Sequence, residues 1–383
     1  MSARVLFVNH AAALGGAELS LLELAPAFAE RCAVVLLADG PFRERLASAG
    51  LSVELMPAGP ALLRVRRGGG GGLAAAAGLT QIGWRLAQRA RAYDVLYANS
   101  QKAFLAAGLA ALLARRPLLY HLRDILSPEH FAAANIRAAV WTANRIARRV
   151  IANSRATAEA FIQSGGAADK IRVVYNGIDP APFDLVADRA GESLRAELHV
   201  GDAPLVGIFG RFHPWKGQHI AVQALAELPG THAVFIGDAL FGEDAYVRAV
   251  RDRARALGIA ERTHFLGFRE DIPRLMRDVD LVLHTSTAPE PFGRVLVEAM
   301  LACRAVVASR AGGALEIVDD GITGVLVPPG EPGEVARAVS TLLSQPARRV
   351  AMGCAGRERA SRLFTVTAMR QAIGQQIEEV AGR

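Results

Sequence analysis

The sequence lacks the features of a membrane-spanning or disulfide-stapled protein. Its longest apolar run lies between Lys102 and Arg115, well short of the roughly 20 residues a helix needs to cross a bilayer. Only Arg4 precedes the short apolar run Val5 to Val8, and polar Asn9 and His10 follow at once. That pattern does not make a secretory leader, so the expected location is the cytoplasm. Cysteine is scarce: Cys32, Cys303 and Cys354 are odd in number, far apart and form no CxxC pair. Reduced, buried thiols are expected rather than a disulfide framework or a zinc site. Aromatic residues make up 6% and no nucleic-acid module is recognisable, which argues against nucleic acid as a partner despite a pI of 9.8.

What is present is a chain of 383 residues, 51% hydrophobic and 21% charged, enough for two domains that each bury a core. The charge is unevenly placed. Residues 1–182 carry 21 Lys and Arg against 12 Asp and Glu, whereas the remainder carries 23 against 25. A basic first half and a near-neutral second half suggest domains that meet different partners.

Short apolar or β-branched runs alternate with longer segments of helical period, the pattern of parallel strands joined by helices. The runs at Val5, Val34, Val53, Val95, Leu118, Val150 and Val173 make one doubly wound sheet. Those at Leu205, Ala233, His264, Leu281, Ala305 and Gly324 make a second. The Gly- and Pro-containing segment Asn176 to Phe183 suits an ordered linker. The expected domains are therefore 1–185 and 186–364, with a helix over 365–383 that caps or bridges them. The five glycines Gly68 to Gly72 read as a mobile loop.

Open parallel sheets bind ligands at the carboxyl ends of their strands, so the residues after each strand decide function. After the first strand, Gly15 and Gly16 precede a helix; they let backbone amides approach an anion, although a tight turn explains them equally well. The spacing is not the dinucleotide GxGxxG, which argues against a dehydrogenase. In the second half, GRFHPWKG puts Arg211 at a strand end and Lys216 just before a helix. Two cations set by a turn can hold a diphosphate, Arg by its fork and Lys as a point charge. In PEPFGRVLVEAM, Pro291 suits the first helical position, with Glu290 before it and Glu298 eight positions on. A backbone separation of roughly 12 Å exceeds the roughly 5–9.5 Å of hydrolytic carboxylate pairs, so two contacts on an elongated ligand fit better. The helix start would offer the amides of Phe292, Gly293 and Arg294 to phosphate.

The segments GGAE, YHLRD, ANS, NGID, GRFHPWKG, FLGF, EPFGRVLVEAM, GGALEIV and DGITGVLVPPG, in this order, resemble the retaining glycosyltransferases of family 4. The resemblance implies the GT-B fold, two Rossmann-like α/β domains facing a central cleft. It also implies sugar transfer from a nucleotide diphosphate donor to an acceptor hydroxyl with retained configuration, without metal and without a cofactor, the nucleotide-sugar being a substrate. By position, Arg211 and Lys216 would stabilise the departing diphosphate, Glu290 would hold the donor hexose, and Glu298 the ribose. His121 would contact the donor sugar, Gly15 and Gly16 would form the first glycine loop, and Gly267 to Arg269 would lie near the base. Substituting Arg211 or Lys216 is expected to cost turnover more than folding.

One departure from the family is the Gly- and Pro-bearing stretch after the second Glu, where this chain has Cys303 and Ala305; altered capping is expected there. Asp278-Val279-Asp280 matches an Asp-x-Asp metal motif by chance, since it leads straight into a strand. Arg64, Arg66 and Arg67, with Arg85, Arg89 and Arg91, suit an anionic cytoplasmic membrane face bearing a lipid-linked acceptor. A small soluble acceptor is the alternative. A GT-B sugar-nucleotide epimerase and a non-catalytic sugar-nucleotide or nucleic-acid binder are the competing functions. Products of glycolipid, polysaccharide or other glycoconjugate synthesis fit the main reading.

Overall fold

The inner strands are buried on both faces by flanking helices, which is why they read as continuous apolar segments rather than alternating ones, while the edge strands at Val53, Val173 and His264 are partly exposed. A computed structural model describes residues 2–11, 13–59, 72–185, 193–240 and 242–382. Arg64, Arg66, Arg67 and the glycines up to Gly71 lie outside them. The chain divides into two compact units, 1–177 with 366–383, and 178–365.

In the first unit, strands β1 (Val5–Asn9), β2 (Cys32–Leu36), β3 (Val53–Leu55), β4 (Val95–Ala98), β5 (Leu118–Leu122), β6 (Ala147–Ala152) and β7 (Ile171–Val173) form a parallel sheet ordered β3-β2-β1-β4-β5-β6-β7. Alternate residues serve two cores. Leu6 and Val8 join Leu86, Phe104 and Tyr120 on one face. Val5 and Phe7 join Leu24, Phe28 and Tyr97 on the other. The last helix, Val366–Ala381, covers this second face with Met369, Ile373, Ile377 and Val380, a spacing of three to four residues that lines one helical face. It therefore belongs to the first unit.

In the second unit, β8 (Leu205–Phe209), β9 (His232–Ile236), β10 (Thr263–Gly267), β11 (Leu281–His284), β12 (Ala305–Ser309) and β13 (Gly324–Val327) form a parallel sheet ordered β10-β9-β8-β11-β12-β13. In both sheets the first strand is central and the direction of winding reverses beside it, between β1 and β4 and between β8 and β11. Such reversal points open a crevice at the strand exits.

The division after Gly177 falls ahead of the boundary expected at residue 185, for a structural reason. The Ile178 N–H donates to the Phe364 carbonyl at 2.9 Å, and Asp184 pairs with Arg357, so the linker is tied to the second unit. Of the cysteines, Cys32 is buried but Cys354 is exposed, against the expectation of buried thiols. Cys303 takes a left-handed conformation, φ 55°, at the end of the helix Arg294–Leu301. The amide of Cys303 reaches Met300 and that of Arg304 reaches Ala299, each at 2.9 Å. This is a Schellman ending with Cys in the seat that Gly usually takes.

Candidate functional site

In the second unit, the loops leaving β8 and β11 meet at the winding reversal. Gly217, with φ 68°, sits so close to the Thr285 carbonyl that a Cβ would lie 1.9 Å from its oxygen. The Thr285 hydroxyl donates to the Gly217 carbonyl at 2.8 Å, and the Thr287 amide donates to Trp215 O at 2.8 Å. These bonds zip the two loops together and fix where Lys216 can reach.

Lys216 forms a salt bridge to Glu290 Oε1. The other oxygen, Oε2, accepts from His284 Nε2 and from the Ser286 hydroxyl at 3.2 Å. Because a carboxylate only accepts, His284 must carry its proton on Nε2. Glu290 and the two donors on Oε2 are largely covered, with Glu290 9% exposed, His284 7% and Ser286 1%. Burial alone would raise the Glu290 carboxyl's pKa; Lys216 and then His284 outweigh it and hold the group well below the usual carboxylate range. The Trp215 ring lies 4.6 Å from Lys216 Nζ and 5.8 Å from the Arg211 guanidinium carbon, so one aromatic face steadies both cations.

The segment after Glu290 is not helical where expected. The helix begins at Arg294, with Gly293 at φ 105° as its cap, because residues 290–292 pack against the turn after β12. The Gly313 amide donates to the Glu290 carbonyl at 2.8 Å, and a Cβ on Gly313 would lie 2.2 Å from Phe292 O. The Phe292 side chain is buried edge-on against Phe364. Glu298 pairs with Arg294 one turn away at 3.3 Å, and Arg294 Nε and Nη1 are buried without hydrogen-bond partners among the described residues.

Other candidates lie elsewhere. The Arg269 guanidinium is bidentate on Asp271, 2.9 Å for each bond, and also bonds Glu197 at 2.8 Å. These contacts tie Arg269 to the turn after β10 and to Glu197 ahead of β8. Asp280 is held by Arg195 and Arg349, and Asp278 accepts from the Leu194 amide at 2.6 Å. Both aspartates serve the fold.

In the first unit, His121 lies within β5, not after it. Its ring is fully buried, and Nδ1 bonds the Tyr97 hydroxyl. Burial and then Arg123 lower its pKa well below the ordinary histidine value, so the ring is neutral, and its Nε2 is buried without a hydrogen-bond partner among the described residues. Gly15 caps the helix Gly16–Leu24, but its amide donates to Glu18 Oε2 at 3.2 Å. The anion position expected at that helix start is thus filled by the chain's own carboxylate.

Beside it runs a polar network that the sequence reading missed. Asn9 bonds Glu18 at 3.1 Å, and Asn99 bonds Asn9 at 3.0 Å. Arg123 bonds Asn99 at 2.7 Å, Ser20 at 2.7 Å and Asn176 at 2.9 Å. Asn99 and Arg123 carry one legible signal, a polar side chain immediately after an apolar strand, and Asn9 ends such a strand; Glu18, Ser20 and Asn176 carry none.

Two parallel α/β units with polar strand exits at each winding reversal define the GT-B class. Two family models together cover most of the chain: "Glycosyltransferase Family 4" over residues 14–182 and "Glycosyl transferases group 1" over residues 191–359. The crystal structure of Anabaena Alr3699/HepE in complex with UDP-glucose is 42% identical, covers 98% of this chain and 100% of that one, and superposes with a TM-score of 0.89. The chain therefore belongs to glycosyltransferase family 4. The spore coat protein SA of Bacillus subtilis is 32% identical over 52% of this chain and 56% of its own length. A D-inositol 3-phosphate glycosyltransferase of Corynebacterium kroppenstedtii is 33% identical over 58% and 52%. The chain spans about half the length of these two curated relatives.

Substitution of Lys216, expected to cost turnover more than folding, bears on folding as well, because Lys216 also neutralises a buried carboxylate. Lys216→Met is expected to lower unfolding free energy by about 2–4 kcal/mol, since removing one partner strands the other charge. Adding Glu290→Gln should recover part of that loss, a coupling that urea denaturation of the four proteins of a double-mutant cycle measures.

A second expectation concerns acid. Burial and then Lys102 lower the His10 pKa to about 4, and its Nδ1 is 2.7 Å from the Ser100 hydroxyl. The unfolded chain takes up this proton near pH 6.5 and the folded chain near 4. Stability from a neutral His10 is therefore complete above pH 6.5 and declines as pH falls toward 4. Denaturation at pH 7.5 and 4.5 should show His10→Asn losing less stability on acidification than wild type, by about 1–3 kcal/mol.

Proposed function

We propose that the chain transfers a hexose from a uridine diphosphate donor, UDP-glucose as the first candidate, to an acceptor hydroxyl with retention of configuration. The observation that carries this reading is the Lys216–Glu290 pair with Arg211 beside it, joined through Trp215. The likeness to the HepE protein crystallised with UDP-glucose supports the choice of nucleotide. Arg211 and Lys216 face the diphosphate, Glu290 the hexose hydroxyls and Glu298 the ribose. The amides of Gly293 and Arg294 add positive potential at the helix start.

In the reaction, the bond between the anomeric carbon and the diphosphate oxygen breaks and a bond to the acceptor oxygen forms on the same face. The acceptor proton leaves with the diphosphate. Negative charge grows on the departing oxygen, and cations already in place stabilise it there.

A panel of UDP-, GDP- and ADP-sugars, followed by thermal shift and donor hydrolysis, tests it. UDP-glucose should bind and turn over, the released or transferred glucose should keep its anomeric configuration, and activity should survive EDTA. Arg211→Ala should lower turnover roughly 10- to 150-fold, the worth of one charge-assisted contact. Complete loss on chelation, restored by Mg²⁺ or Mn²⁺, would overturn the metal-independent mechanism.

We assign the acceptor to the first unit and to an anionic membrane surface at the cytoplasmic face. Support comes from that unit's excess of Lys and Arg and from the exposed Trp84, Trp141, Leu112 and Leu113, since interfacial tryptophan and basic side chains together favour headgroup contact. Co-sedimentation with anionic vesicles should exceed that with neutral ones, weaken with salt and fall when Arg64, Arg66 and Arg67 become Ser. Equal recovery in the supernatant with both vesicles at low salt would remove the membrane assignment.

A further inference from the structure

Two residues in contact with Glu290, His284 and Ser286, lie outside the motif that marks the donor site. Strand alternation puts positions 284 and 286 on one face as β11 ends, and from there both side chains reach the same carboxylate oxygen, Oε2. Among the described residues Lys216 alone takes Oε1. The three donors differ in freedom. His284 and Ser286 have short side chains, fully enclosed at a strand exit. Lys216 reaches Glu290 from the end of a flexible four-carbon stem, on a loop that also carries Arg211 and Trp215. An arriving diphosphate can draw the ammonium away; it cannot draw away the imidazole or the hydroxyl.

We propose that His284 and Ser286 are positioning residues that anchor Glu290 through Oε2, so that Oε1 is presented to a hydroxyl of the donor hexose once Lys216 turns to the diphosphate. The assignment rests on the nucleotide-sugar reading above. Without the anchor, the carboxylate turns about its last side-chain bond, and no single oxygen stays aimed at the sugar. The nucleotide half of the ligand does not depend on that aim. Loss of the anchor therefore weakens binding of the sugar-bearing ligand and leaves the sugar-free nucleotide unchanged, a split that general loosening of the loop does not produce.

The test is calorimetric titration of the full chain with UDP and with UDP-glucose, for wild type, Ser286→Ala, His284→Phe and His284→Gln. Ser286→Ala and His284→Phe should hold UDP within about twofold while weakening UDP-glucose about tenfold, the scale of one hydrogen bond to a charged group. His284→Gln, whose amide can donate to Oε2, should restore most of the loss. Should His284→Phe fail to fold, Ser286→Ala carries the comparison by itself. Equal weakening of both ligands, or no change in either, overturns the positioning role. A wild-type protein that binds neither UDP nor UDP-glucose overturns the nucleotide-sugar reading instead, and this proposal falls with it.

Discussion

Glu290 is a carboxylate taken out of water, and the second unit is organised around the cost of keeping it charged. Desolvating such a group costs several kcal/mol unless donors replace the lost hydration. Here three do so: Lys216, His284 and Ser286. To bring them together, loops from three neighbouring strands must converge. The β8 loop supplies Lys216, the β11 exit supplies His284 and Ser286, and the β12 turn grips the backbone of Glu290 from Gly313. Each approach is close enough to require glycine. A Cβ at Gly312, φ 58°, would lie 2.3 Å from Glu290 O, and one at Gly217 would meet Thr285 O. The late start of the helix at Arg294 follows from the same constraint, since residues 290–292 are held against the turn and are not free to wind.

The first unit meets the same problem in another way. Glu18 is buried at the winding reversal, and burial raises its pKa, partly offset by its bond from Asn9. Its neighbours are mostly neutral amides and hydroxyls, with Arg123 linked to them through Asn99. Every partner comes from within the unit, from strand exits or from Ser20 and Asn176. A flexible lysine makes the second unit's charge cluster exchangeable, whereas this network is built from short side chains and a deeply seated arginine. It holds the exits of β1, β4 and β5 in register.

The sheets were legible because burial writes itself into composition: twelve of the thirteen apolar runs coincide with strands of the two sheets, and the run at Val173 meets β7 at that strand's last residue. Arg211, Lys216 and Glu290 were legible as well, since Gly and Pro mark the turns that gather them. Partnership was not. Nothing in the local sequence says that Arg269 will find Glu197 and Asp271, or that Glu18 will fill the helix start beside Gly15. These pairings depend on which segments the fold brings alongside. The burial of His121 follows from strand alternation. This residue is penultimate in β5, so its side chain points to the same face as Leu119 and joins the interior, while Arg123 is the residue that clears the strand end. Counting by twos through LVLHTS would similarly have put His284 and Ser286 on one face.

The way Glu290 is held bears on how a donor can be told from its product. Free UDP offers the diphosphate that attracts Lys216, but in taking it would leave Oε1 buried with nothing donating to it, which costs about 1–3 kcal/mol or more for a charged group. UDP-glucose carries hydroxyls that can fill that place, so exchanging Lys216 for a sugar hydroxyl leaves no charge stranded. On the proposed nucleotide-sugar reading, the buried carboxylate would set a penalty against the nucleotide alone and lift it for the intact donor. Because the Oε2 side is already satisfied by His284 and Ser286, the penalty falls on one oxygen. Specificity would then depend on a single position, where a hydroxyl either donates or does not.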